Sequence, residues 1–190
     1  MEHTYQILEQ QINQRLSQLH KPSNIHISTK LSQTLDQLNI PLLAKLACLS
    51  IDTSMKHLDR VSYDGYERDA ILIGDLLSAH YYTLLSELKA PHFQLKMSEA
   101  IVRINELKSQ IQHQYKVMKQ PELVDAIYHI ETLLLQQILD VYIPNEDPQQ
   151  YLHSFILKLD CSDLRYLGHL KSDDLKHLLQ LLKNIKYNEV

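Results

Sequence analysis

The stretch Tyr66-Glu67-Arg68-Asp69-Ala70-Ile71-Leu72-Ile73-Gly74-Asp75-Leu76-Leu77-Ser78-Ala79-His80-Tyr81-Tyr82-Thr83-Leu84-Leu85-Ser86-Glu87-Leu88 decides how the chain is read. Apolar residues recur along it every three or four positions, the period of a helix and not of a strand. One stripe is Tyr66, Ala70, Ile73, Leu77, Tyr81, Leu84 and Leu88. A second, Leu72, Leu76, Ala79 and Thr83, is turned from the first by more than a right angle. A helix apolar on two sides is buried on two sides. Either the rest of the chain or a partner must cover the second side, and the sequence leaves that choice open.

The same period runs outward in both directions. Upstream, Tyr5, Leu8, Ile12, Leu16 and Leu19 share a face until Lys21-Pro22-Ser23-Asn24 ends the helix. Ser28 is placed to cap a short helix with Leu31, Leu35 and Leu38 inward. Pro41 opens another, from Leu42 to about Leu58. Downstream of Pro91, the residues Met97, Ala100, Ile101, Ile104, Leu107, Ile111, Tyr115 and Met118 form one stripe, opposite the solvated Glu99, Arg103, Glu106, Gln110 and His113. Pro121-Glu122 begins a helix dense in leucine and isoleucine that ends before Pro144. Asp147 caps the next, with Pro148 at its first position, and Ser172 is expected to cap the last. Seven or eight helices and no strands follow, in a single all-α domain over residues 1–190.

Composition agrees. There are three glycines, Gly65, Gly74 and Gly168, too few for the positive-φ turns of a strand-rich fold or for a phosphate-cradling loop. A net charge of −4 gives no basic footprint for nucleic acid and no polybasic strip for an anionic membrane. No apolar run approaches the roughly 20 residues of a transmembrane helix, and the N-terminus shows no apolar signal core. Cys48 and Cys161 form no metal or disulfide pattern, which fits buried thiols in a reducing cytoplasm.

Function turns on Ala47-Cys48-Leu49-Ser50-Ile51-Asp52-Thr53-Ser54-Met55-Lys56. This segment resembles the helix that carries the first aspartate motif, DDxxD, of trans-prenyl diphosphate synthases. Ala70–Ala79 resembles that family's GD-containing helix. Tyr81-Tyr82-Thr83-Leu84-Leu85-Ser86-Glu87-Leu88-Lys89 and Ala100-Ile101-Val102-Arg103-Ile104-Asn105-Glu106 are similar to one branch of it. That branch is component 1, the small non-catalytic subunit of bacterial heterodimeric hexaprenyl and heptaprenyl diphosphate synthases. The similarity is clearest over residues 45–110. It implies a helical bundle like the N-terminal part of the isoprenoid synthase fold. It further implies a cytoplasmic regulatory subunit, whose catalytic partner, component 2, makes the hexaprenyl or heptaprenyl side-chain precursor of menaquinone.

The motif itself is degenerate. Its five positions read Asp52, Thr53, Ser54, Met55 and Lys56, so one carboxylate of three remains and the last position is a lysine. Mg²⁺ needs oxygen ligands, and positions one and five of the motif lie one helical turn apart on one face. An ammonium about 4 Å from the ion repels it by about 1 kcal/mol in water and about 4 kcal/mol at an intermediate dielectric. No catalytic residue and no metal ligand is therefore assigned to this chain, and Mg²⁺ is expected on the partner. The plain reading of Asp52 and Lys56 is an i,i+4 ion pair. Asp173-Asp174 lacks the flanking residues of the second aspartate motif and reads as a helix first turn. His57 and His80, beside apolar residues, read as hydrogen-bonded packing histidines.

Relatives of this kind that act alone pair through the GD helix and its successor. The resemblance therefore makes Ile73, Leu77, Tyr81, Leu84 and Leu88 the candidates for contact with a partner or for control of chain length. Two alternatives stand beside it: a weakly active prenyltransferase, and a helical interaction module unrelated to isoprenoids.

Overall fold

The computed structural model describes residues 3–17, 25–63 and 68–185, and the side chains within them apart from those of 60–63 and 68–69. Among these residues the order is α1 (Thr4–Ser17), α2 (Thr29–Asp36), α3 (Leu42–Tyr63), α4 (Arg68–Leu88), α5 (Pro91–Gln114), α6 (Gln120–Tyr142), α7 (Pro148–Lys158), a 3₁₀ turn (Arg165–Leu167) and α8 (Ser172–Lys183), with no strand. The chain is all-α, as its periodicity predicts. Two compact units divide it, Met1–Ala90 and Pro91–Val190. The boundary falls where the sequence offers only a proline between two helices. Just before it Lys89 takes a left-handed conformation (φ 52°) that ends α4.

In the first unit, α1 buries Leu8, Ile12 and Leu16, three members of its expected stripe; Leu19 and the 21–24 terminator lie outside the described residues. Fully burying each such side chain contributes about 1.5–3 kcal/mol. The start of α1 is capped from α2. Asp36 accepts the Thr4 amide at 3.2 Å and the Thr4 hydroxyl, and lies 3.1 Å from His3 Nδ1. Ser32 Oγ accepts the Tyr5 amide at 2.9 Å. Burial opposes ionisation of Asp36, yet the bonds from Thr4 and His3 outweigh it and hold the carboxyl below its ordinary range. Ser28 caps α2 as expected, accepting the Leu31 amide at 3.2 Å. Helix α3 runs past Leu58 to Tyr63, because no breaker precedes Gly65.

In the second unit, α5 buries Met97, Ala100, Ile104, Leu107 and Ile111, and exposes Glu99, Arg103, Glu106, Gln110 and His113. Lys108 is also buried, its ammonium 5.3 Å from the centre of the Tyr166 ring. Asp147 caps α7, accepting the Gln149 amide at 3.0 Å. The expected cap of α8 is displaced by one residue: Lys171 holds the extended cap conformation and Ser172 is the first helical residue. Asp173 and Asp174 occupy that exposed first turn, where a carboxylate favours the helix dipole. No described helix is long and apolar enough to cross a membrane.

Candidate functional site

The segments that carry the motif readings, α3 and α4, lie antiparallel in the first unit, joined by two side-chain bonds. Ser50 Oγ donates to the Leu77 carbonyl at 2.8 Å, and Ser54 Oγ donates to the Gly74 carbonyl at 2.7 Å. Both serines are buried, and each bond contributes about 1 kcal/mol. Beside the Ser54 bond the helices approach closely enough that a Cβ on Gly74 would fall 2.7 Å from Cγ and Cδ2 of Leu58. The glycine of the GD helix is thus where α3 lays a leucine across α4. Sequence reading missed the two serines. The available signal was two small hydroxyl residues one turn apart, Ser50 and Ser54, facing a helix that carries a mid-helix glycine.

The five motif positions take distinct places. Asp52 and Lys56 meet: the ammonium lies 3.0 Å from each carboxylate oxygen. Thr53 is fully buried and donates to the Leu49 carbonyl at 2.7 Å. Ser54 is turned to α4, and Met55 is buried. One turn earlier, burial pushes the Cys48 thiol well above its ordinary pKa; the Asp52 carboxylate adds to this and the Lys56 ammonium opposes it. This donor set does not fit Mg²⁺. Its one carboxylate is bridged by an ammonium, and the neighbouring hydroxyls are committed to backbone carbonyls. Among the described residues no group of three or more His, Cys, Asp or Glu is placed to hold a metal.

The two stripes of α4 have different fates. Ile73, Leu77, Tyr81 and Leu84 are buried within the chain itself, and Leu88 is half-buried. Tyr66 lies outside the described residues. The first four candidates form interior packing, and Leu88 keeps part of its surface open. The second stripe faces outward: Leu72 is 49% exposed, Ala79 is exposed, and Leu76 and Thr83 are half-buried. Tyr82 beside it is 57% exposed. An uncovered face with two large apolar side chains and a small residue between them admits another helix at close range.

Two polar groups are buried on α4, Tyr81 on the inner stripe and His80 beside it. The Tyr81 side chain is fully buried, and its hydroxyl has no hydrogen-bond partner among the described residues. Burial pushes the phenol well up, with Tyr82 and Cys48 adding to the shift. His80 Nε2 lies 2.8 Å from Gln11 Oε1 and ties α4 to α1. Burial, then the Arg15 charge, lowers the His80 pKa to about 4, so the ring is neutral. His57 Nε2 accepts the His26 amide at 3.1 Å. Both histidines are therefore hydrogen-bonded packing residues, as their apolar neighbours predict.

Comparison with known proteins places this helix pair in context. Residues 2–134 match the family described as HexPS-like, hexaprenyl diphosphate synthase, small subunit. A solved structure described as heptaprenyl diphosphate synthase from Staphylococcus aureus is 39% identical in sequence. It superposes with a TM-score of 0.82, over 95% of this chain and 98% of that one.

Proposed function

Because the chain belongs to the family of hexaprenyl diphosphate synthase small subunits and has the isoprenoid synthase fold, we propose that it is the non-catalytic, regulatory subunit of a two-component trans-polyprenyl diphosphate synthase. The observation that carries this reading is the bridging of Asp52 by Lys56 at the first motif position. Ionising an allylic diphosphate needs divalent ions held by several carboxylates, and the motif positions 52–56 offer one, already neutralised. The condensation with isopentenyl diphosphate then belongs to a catalytic subunit, component 2, that supplies both aspartate motifs and holds the Mg²⁺.

The uncovered stripe of α4 gives this subunit its means of acting. Leu72, Leu76, Ala79, Thr83 and Tyr82 pack against a helix of the catalytic subunit and remove apolar surface from water, as in large obligate interfaces. The inner residues Ile73, Leu77, Tyr81 and Leu84 set the position and rigidity of that face. Product length, hexaprenyl or heptaprenyl for the menaquinone side chain, is governed through that contact. The complex works in the cytoplasm.

The test is reconstitution. The purified chain, a purified DDxxD-bearing synthase from the same source, and the mixture are each incubated with labelled isopentenyl diphosphate, an allylic primer and Mg²⁺. The proposal expects no product from the chain alone and long-chain product from the mixture. Turnover by the isolated chain, or a mixture no more active than the synthase alone, refutes it.

A further inference from the structure

The Asp52–Lys56 pair is not an ordinary surface pair. Its side chains are 13% and 21% exposed, against 56% and 38% for Glu99 and Lys96, and 59% and 56% for Glu106 and Arg103. A pair this sheltered is poorly screened by water and salt, and removing one partner leaves the other charge desolvated. The geometry is that of a cation on a carboxylate, since the ammonium contacts both oxygens at the same 3.0 Å. The two hydroxyls that follow Asp52 in the chain are committed to backbone carbonyls. Thr53 bonds to the Leu49 carbonyl and Ser54 to the Gly74 carbonyl, and the Ser54 bond also fastens α3 to α4.

We propose that the Lys56 ammonium is a tethered substitute for the divalent cation of the first aspartate motif, neutralising Asp52 from within the chain. The α3–α4 pair then holds its geometry without metal. This inference rests on the family assignment and on the geometry of α3. It does not depend on the proposed partner, so each can fail without the other.

Thermal melts and Mn²⁺ binding of the full-length chain test it. Wild type is expected to melt at the same temperature in EDTA, Mg²⁺ or Mn²⁺. Lys56→Gln should melt a few degrees lower, and adding Asp52→Asn should restore most of that loss, because no desolvated charge remains. Lys56→Asp should melt lower still in EDTA and regain roughly 3–6 °C when Mn²⁺ is present at about ten times its Kd. If Lys56→Asp does not fold, Lys56→Gln carries the test through Mn²⁺-induced broadening of the α3 amide resonances around Asp52. That broadening should exceed the wild-type level, since an amide oxygen and one carboxylate are then available. Stabilisation of the wild type by Mg²⁺ overturns the proposal. So does a folded Lys56→Asp with no cation-dependent shift, or a Lys56→Gln that broadens no more than wild type.

Discussion

Replacing Tyr81 by phenylalanine should stabilise the protein. Tyr81 lies on the inner stripe of α4 with no solvent exposure, and its hydroxyl has no hydrogen-bond partner among the described residues. Unfolding returns that hydroxyl to water, so the folded state carries an uncompensated desolvation cost of about 1–3 kcal/mol. Deleting one oxygen forfeits a handful of dispersion contacts at about 0.1–0.2 kcal/mol each. The difference leaves Tyr81→Phe more stable by about 1 kcal/mol, a rise of about 2–4 °C in melting temperature for a chain of this size. Reversible urea denaturation followed by circular dichroism gives the free energy directly. Tyr128→Phe is the control: its hydroxyl donates to Gln149 Oε1 at 3.3 Å, and its loss should destabilise slightly. A Tyr81→Phe variant less stable than wild type by 0.5 kcal/mol or more would mean that the hydroxyl is satisfied, and the reading of the inner stripe as dry packing would fall.

Other expectations follow from the same unit. Alanine at position 74 should gain about 1 kcal/mol of helix propensity, but its Cβ meets Leu58. Gly74→Ala should therefore destabilise by about 1 kcal/mol in wild type and stabilise by about as much beside Leu58→Ala, giving a coupling near 2 kcal/mol in a double-mutant cycle. His80 binds its proton at about pH 4 when folded and at its ordinary 6.5 when unfolded. Its contribution is intact above pH 6.5 and is lost as pH falls towards 4, by up to roughly 3 kcal/mol. His80→Gln should flatten that limb of a stability–pH curve. Asp36→Ala removes the bonds that cap α1 from α2 and should cost about 1–2 kcal/mol. Because the folded Asp36 carboxyl titrates below its ordinary range, its contribution is present above that range and fades as pH falls through the lowered value.

Much of this architecture was legible because burial in a helical chain imposes a period. The stripes of α1 and α5 come straight from spacing, and Ser28 and Asp147 cap where a side-chain oxygen precedes an apolar run. Ser172 misled because the extended backbone that a cap needs falls one residue earlier, at Lys171. The two stripes of α4 could not be ranked from sequence, since both are apolar and only the pairing with α3 decides between them. That pairing rests on Ser50, Ser54 and Gly74, three small residues whose meaning depends on the register of two helices. The Asp52–Lys56 contact was legible from i,i+4 spacing, but its shelter from water was not. The candidates that the resemblance put on α4 fall mostly on the stripe that the chain uses for its own core, a placement that only the packing of the helices shows.

The central claim is that the outer face of α4 recruits a catalytic synthase subunit, and association of the two purified proteins tests it most directly. Leu72→Asp changes a side chain that is 49% exposed and should leave the melting temperature within about 2 °C of wild type. Sedimentation or calorimetry should show wild type forming a stable complex and Leu72→Asp binding at least thirtyfold more weakly, about 2 kcal/mol, as a charge buried in an apolar contact requires. A folded Leu72→Asp that binds the synthase with wild-type affinity would contradict the account.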